Sequence, residues 1–383
     1  PVLAQTVPTR QPLIQNGADV RTPSRTPPAP EIKASAAVMV DVNTGRTLYA
    51  KNENLRRYPA SITKVLTALV AVQKNDLDDV VTVSKYAASA EGSSIYLQAG
   101  MRLSLRDLLY GLLLESGNDA ARAIAEHVAG TETSFAQLMN GTAARLGTLD
   151  SHFVNASGLP DAHHYTTAHD MALIARAAMQ NPILRQMVAT PMRELLRPDG
   201  SVQYMMNHNR YLGRSLDGVK TGYTLAAQHT FIGSATMVGR QVVVVILDDD
   251  RQGKYDDTVA LLDWAQDAFV PACVNNLSSV IELPIQQGGQ DRILPVITKL
   301  PPTVFVTPDE KRDLTWRALA LHPLPETFYP AGQQVADAAV YAHGIEVARF
   351  ALIPVAPPRS ADGKRRGVPL SDPCPSPVPS TAK

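Results

Sequence analysis

A serine and a lysine three positions apart are the first residues here whose types suit chemistry together. They are Ser61 and Lys64, within Tyr58-Pro59-Ala60-Ser61-Ile62-Thr63-Lys64-Val65-Leu66. Pro59 suits a helix start, and Lys64 opens an apolar helical run with Leu66, Leu69 and Val70. At helical spacing the serine and the lysine share one face. A serine hydroxyl is a poor nucleophile at neutral pH and needs a base. A lysine serves when burial or neighbouring cations lower its pKa. N–H groups at a helix start also stabilise developing negative charge. The pattern alone also reads as an N-capping serine beside a solvated lysine. Ser380-Thr381-Ala382-Lys383 repeats it in a tail where no chemistry is expected.

Two further groups follow. Ser116-Gly117-Asn118 lies just after Leu112-Leu113-Leu114-Glu115. On a tight connection its hydroxyl can relay a proton, and its amide can bind a carbonyl or the lysine. Taken alone it is a loop and helix-cap sequence. Lys220-Thr221-Gly222, followed by Tyr223, offers a cation and a hydroxyl to a carboxylate. The glycine allows another backbone to approach closely. Alone, this is an edge-strand lysine beside a turn glycine. Each group by itself is ordinary. A fold that brings all three to one cleft accounts for them together.

The elements that must position them follow from periodicity. Ala36, Val38, Val40 and Val42 alternate, Asn43-Thr44-Gly45 supplies a turn, and Arg46–Ala50 returns as a hairpin. Helical patterns then dominate to about residue 180. Ser104 with Asp107 forms a capping box, and Asp119 caps a helix through Val128 that Gly130 ends. Another helix is expected over Ser134–Arg145, and a fourth from Thr166 or Thr167 through Ala178. Strands return over Phe231–Met237 and Gln241–Leu247, then a helix over Thr258–Phe269. That order predicts an α+β fold with an antiparallel sheet rather than repeated βαβ units. Short β-like runs after Pro271 predict a small all-β domain. Prolines concentrate at both ends, which predicts extended, mobile arms. The expected division is an arm over 1–30, a mixed helix-and-strand domain over 31–270, a small all-β domain over 271–355 and a tail over 356–383.

Composition narrows the function. The chain has 383 residues, 45% apolar and 19% charged, which is enough to bury real cores. Lys and Arg total 36 and so do Asp and Glu, so nucleic acid is not an expected partner. The longest apolar run, Val242–Leu247, has six residues, far short of a membrane span. Two cysteines cannot build a disulfide framework or a four-thiolate zinc site. Cys273 is expected as a small core residue, and Cys374 as an oxidisable tail thiol. The nine histidines include no H-E-x-x-H, so no metal or other cofactor is expected.

Serine-x-x-lysine, serine-x-asparagine and lysine-threonine-glycine, in this order, form the signature set of the penicillin-recognising serine enzymes. With them the chain resembles the low-molecular-mass penicillin-binding proteins, the serine-type D-alanyl-D-alanine carboxypeptidases. Gly92-Ser93-Ser94, Leu105–Ala121, Asn155-Ala156-Ser157-Gly158-Leu159 and Thr166–Ala172 extend the likeness over about residues 33–268. The resemblance implies a β-lactamase/transpeptidase-like domain followed by a β-sandwich. It implies Ser61 as acylated nucleophile, Lys64 as its base and Ser116 as proton relay. Asn118 would hold the acyl side chain or orient Lys64. Lys220 and Thr221 would bind the terminal carboxylate, with Gly222 beside them. The N–H groups of Ser61 and Tyr223 would form the oxyanion hole. The implied partners are a peptidoglycan stem peptide ending in D-Ala-D-Ala and, as covalent inhibitors, β-lactams. The implied location is extracytoplasmic.

Some features depart from that pattern. Gln228 stands where relatives often carry glycine, and the tail 356–383 has no apolar face to insert into a membrane. A soluble exported protein is therefore expected. Two alternatives stay open. A serine β-lactamase shares the first and third motifs, with Glu194-Leu195-Leu196-Arg197 as the one loosely similar spot for its deacylating glutamate. A catalytically silent cell-wall-binding module would use the same cleft without turnover.

Overall fold

Alternating apolar residues at the start of the body build a strand buried on both faces. The computed structural model describes residues 26–197, 199–274, 277, 279–287, 290–320, 332–356 and 359–360. In it β1 (Ala36–Asp41) sends Ala36, Val38 and Val40 into one core, and Ala37 and Met39 into another. β2 (Thr47–Lys51) returns antiparallel after the expected turn, where Gly45 has φ +77°.

The helical block comes next. A single 3-10 turn, Ala60–Thr63, leads into α1 (Lys64–Lys74). Then come β3 (Val80–Thr82), α2 (Lys85–Ala88), β4 (Arg102–Ser104), α3 (Leu105–Leu113), α4 (Asn118–Ala129), α5 (Glu132–Arg145), α6 (Ala168–Gln180) and α7 (Pro182–Val188). Ser104 caps α3 by accepting the Asp107 N–H, as its spacing predicts. Thr167 caps α6 in the same way. Thr131, rather than Ser134, caps α5, so that helix starts a few residues earlier than expected.

β5 (Met192–Leu196) and β6 (Val202–Met206) form a separate hairpin. β7 (Gly218–Thr224), β8 (Gln228–Met237) and β9 (Arg240–Asp249) complete an antiparallel sheet in the order β2-β1-β9-β8-β7. β9 is central, which explains its unbroken apolar run. Val243, Val245 and Leu247 face the helical core, while Val242, Val244 and Ile246 face α8 (Gly253–Ala268).

The remaining described strands are β10 (Val270–Cys273), β11 (Ile281–Gln287), β12 (Gln290–Thr298), β13 (Thr303–Val306), β14 (Thr315–Ala320), β15 (Ala336–Ala342), β16 (Ile345–Pro354) and β17 (Arg359–Ser360). β11-β12-β16-β15-β14 form one antiparallel sheet, with β17 pairing β12, and β10 pairs β13. Leu294, Val296, Ala338 and Phe350 share a third core with Ala272, Val304 and Val306. The fold is α+β with a terminal all-β unit. Most of both expected arms, and Cys374, lie outside the described residues. Within the described part, Pro27 already touches the body, its carbonyl accepting the Trp264 Nε1–H at 2.9 Å. Cys273 is half-buried and disulfide-bonded rather than a core residue: its neighbours Ala272 and Val274 take the places in the third core, and strand alternation turns Cys273 away from it.

Arg240 joins the two units. It chelates the fully buried Asp41 carboxylate at 2.7–3.0 Å and donates to the Thr303 carbonyl at 2.6 Å. Its guanidinium also lies 5.4 Å from the Phe305 ring centroid. Without Arg240, Asp41 would keep, among the described residues, the N–H bonds from Asn43 and Thr44 and the more distant charge of Arg176. An uncompensated buried charge costs about 3–5 kcal/mol. Urea unfolding of Arg240→Ala is expected to show a loss of that size.

Candidate active site

Ser61 lies on the 3-10 turn ahead of α1, not on a regular α-helix as its spacing suggests. The turn is held from two sides. Thr230 Oγ1 on β8 donates to the Pro59 carbonyl at 2.8 Å. Gly158 packs so closely that an added Cβ would sit 1.9 Å from the Ala60 carbonyl oxygen. Ala60 itself has φ +51°. This arrangement turns the Ser61 hydroxyl back toward α1, where Lys64 lies.

The Lys64 amine is fully buried and touches three oxygens. Nζ lies 2.9 Å from Ser61 Oγ, 2.7 Å from Asn118 Oδ1 and 2.8 Å from the Ser157 carbonyl oxygen. This geometry suits a base. A neutral amine has two N–H donors and one lone pair. Asn118 Oδ1 and the Ser157 carbonyl are acceptors and take the two hydrogens. The lone pair is left for the Ser61 hydroxyl. Burial lowers the Lys64 pKa well below the ordinary lysine value, and the Lys220 charge lowers it further, while Asp119 opposes them.

Lys220, Thr221, Gly222 and Tyr223 lie along β7. A Cβ on Gly222 would meet Thr230 Oγ1 at 2.3 Å, the Ser61 nitrogen at 3.0 Å and the Ile62 nitrogen at 3.2 Å. Only glycine lets β7 come this near the serine, and the backbone N–H of Tyr223 is next along the strand. Lys220 is almost wholly buried and donates to the Thr221 carbonyl at 2.9 Å. Burial and the charge of Lys254 bring its pKa down to about 7. The Tyr223 ring is half-exposed and lies against His229 on β8, with centroids 4.5 Å apart.

The structure therefore brings Ser61, Lys64 and Asn118 into direct contact and lays Gly222 against Ser61. Ser116 lies two residues before Asn118, nearly buried, at φ +64°. Its hydroxyl makes no hydrogen bond among the described residues. Glu194 is exposed on the outer face of β5. No group of His, Cys, Asp and Glu suited to a metal ion occurs among the described residues.

Sequence reasoning missed some groups. The Ser157 carbonyl is a backbone atom that any residue could offer; its signal is Asn155, whose Oδ1 accepts the Ser157 and Gly158 N–H groups and fixes that turn. His164, buried beneath Thr63 at 2.9 Å, has its pKa pushed down to about 4 by burial and stays neutral. Lys254 falls in the first turn of α8, since that helix starts at Gly253 rather than Thr258, and lies 3.3 Å from His229 Nδ1. Asp119 is not the cap of α4. Gly117 holds that position, and the Asp119 carboxylate turns to the 94–97 segment.

A profile of the peptidase S11 family, D-alanyl-D-alanine carboxypeptidases, matches residues 23–251. D-alanyl-D-alanine carboxypeptidase DacB2 of Mycobacterium tuberculosis is 36% identical over 255 residues, which is 64% of this chain and 87% of its own. Among solved structures, a mutant of Streptomyces K15 DD-transpeptidase is similar with a TM-score of 0.58 and 31% identity, covering 61% of this chain and 98% of that one. The D-alanyl-D-alanine carboxypeptidase DacD of Francisella tularensis covers 90% of this chain and 99% of its own, with a TM-score of 0.63 and 28% identity.

Proposed function

The chain belongs to the peptidase S11 family of D-alanyl-D-alanine carboxypeptidases, and from that membership we propose how its residues divide the work. It is a serine-type hydrolase that removes the terminal D-alanine of peptidoglycan stem peptides and binds β-lactams. The observation that carries the assignment of roles is the three-oxygen environment of the Lys64 amine. Ser61 Oγ attacks the carbonyl carbon of the penultimate D-alanine as its proton passes to Lys64 Nζ. The oxyanion forms between the N–H groups of Ser61 and Tyr223. The C–N bond breaks, and the departing D-alanine amine takes a proton returned through Lys64 and Ser116. Asn118 keeps Lys64 in place. Water then hydrolyses the Ser61 ester and regenerates the hydroxyl. Lys220 and Thr221 hold the terminal carboxylate.

The same reading places this work outside the cytoplasm, where the stem peptides are cross-linked, with a role in cell shape. No helix among the described residues is long and apolar enough to cross a membrane. The catalytic part is residues 31–270. The β unit over 271–355 serves as a spacer or docking element.

The carboxylate contact and the lysine pair give a test. Charge-assisted hydrogen bonds are worth about 1.5–3 kcal/mol. A substrate whose terminal carboxylate is amidated should therefore lose roughly 10- to 100-fold in kcat/KM. The pH profile of kcat/KM should be bell-shaped. On the acid side Lys64 gains a proton and can no longer accept the one from Ser61, so the rate falls as pH falls. On the alkaline side free Lys220 loses its charge near about 7, so the rate falls as pH rises. In kcat the alkaline limb should move up, because the bound carboxylate keeps Lys220 protonated. Equal turnover of the amide and the free acid would overturn the assignment of Lys220 and Thr221.

A further inference from the structure

We propose that Asp119 is a positioning residue for this reaction: its buried carboxylate fixes the Glu91–Leu97 segment, and that segment fixes the Asn118 amide against Lys64. The inference rests on the roles assigned above to Ser61, Lys64 and Asn118.

Asp119 is wholly buried, and no cation pairs with it among the described residues. A buried carboxylate must find hydrogen-bond donors or lose its charge. Asp119 finds them in a stretch that has no helix or strand of its own. Ser94 Oγ donates at 2.6 Å, the Ile95 N–H at 3.1 Å to each oxygen and the Leu97 N–H at 2.9 Å. The Ala120 N–H adds a bond at 2.9 Å from the first turn of α4. Between Ile95 and Leu97, Tyr96 takes φ +59° with its ring exposed. A non-glycine residue holds that conformation only when its surroundings impose it. Here the carboxylate grips the N–H groups on both sides.

The other half of the segment turns back to Asn118. The Ser93 carbonyl accepts the Asn118 N–H at 2.7 Å, and the Glu91 carbonyl accepts Asn118 Nδ2 at 2.6 Å. An amide has one donor end and one acceptor end. With Nδ2 held by Glu91, Oδ1 must point to Lys64 Nζ. Asp119 thus acts on Lys64 at second hand, through the segment and the amide. Its charge also favours the protonated lysine, so it tunes the base as well as placing its partner.

The test is the second-order rate of acylation of the full chain by benzylpenicillin between pH 5 and 9. The variants are Asp119→Asn, Asn118→Ala and the pair together. Asp119→Asn should slow acylation about 100-fold in the wild-type background and less than about 3-fold beside Asn118→Ala, because groups acting through one another are not additive. Its acid limb should also move to lower pH, since the charge that favours protonated Lys64 is gone. Ser94→Ala, which removes one bond of the clamp, should give an intermediate loss and carries the test if Asp119→Asn does not fold. Equal losses in both backgrounds, or an unmoved acid limb, would overturn the proposal. Failure of the underlying reading looks different: Asn118→Ala would then acylate at the wild-type rate.

Discussion

Ser61→Ala is expected to remove D-alanine release and the penicilloyl adduct together, while the protein stays folded. The hydroxyl points into a site whose backbone is held by Pro59, Gly158 and Gly222 rather than by the serine side chain. Losing it deletes the nucleophile and leaves the oxyanion N–H groups and the carboxylate subsite in place. In a serine hydrolase, loss of the nucleophile costs on the order of 10⁶ in kcat. Substrate binding should change little, because Lys220 and Thr221 are untouched. Equilibrium binding of a D-Ala-D-Ala peptide to Ser61→Ala, set beside its turnover, separates the two effects. Retained adduct formation would mean that another residue is acylated.

The second large effect is that of Lys64→Ala. General-base catalysis is worth about 10² to 10⁴ in rate. The upper end is expected here, since no other amine lies within hydrogen-bond reach of Ser61 Oγ among the described residues. The same change leaves Asn118 Oδ1 and the Ser157 carbonyl without their donor in a buried site, so some stability goes too. Activity and stability can be told apart by the pH profile. Without Lys64 the acid limb of acylation should vanish, and the residual rate should rise with hydroxide only until Lys220 loses its charge at about 7 and then level off. A destabilised enzyme with an intact base would keep its limb. Lys64→Arg should be nearly as inactive, because a guanidinium does not give up its proton.

Side-chain chemistry was the legible part of this protein. Serine, lysine, asparagine and threonine in the three motifs declare their functions by type, and their order pointed to a shared cleft. Alternation on β1 and the run on β9 marked the sheet, and Ser104 and Thr167 marked helix starts, because these signals are local. What stayed hidden depends on distant partners. The Ser157 carbonyl carries no side-chain signature. Asp119 has the sequence position of a helix cap, and only the folded 94–97 segment gives its carboxylate other donors. The β5–β6 hairpin was missed because Met192, Leu196, Val202, Tyr204 and Met206 are apolar yet exposed, which blurs the alternation. β12 was missed for a related reason: Pro295 and the charged Asp291-Arg292 interrupt a run that pairs on both sides. α8 begins earlier than its apolar pattern because Asp250 accepts the Gln252 and Gly253 N–H groups and starts the turn.

The most direct measurement is to incubate the full chain with benzylpenicillin, weigh the intact protein, digest it with trypsin and map the adduct. The account predicts one penicilloyl group per chain, long-lived, on the peptide Tyr58–Lys64 and on Ser61 within it. An adduct on any other residue would contradict it. So would an unmodified protein with the penicillin intact. An unmodified protein that consumes the penicillin would make the chain a β-lactamase instead.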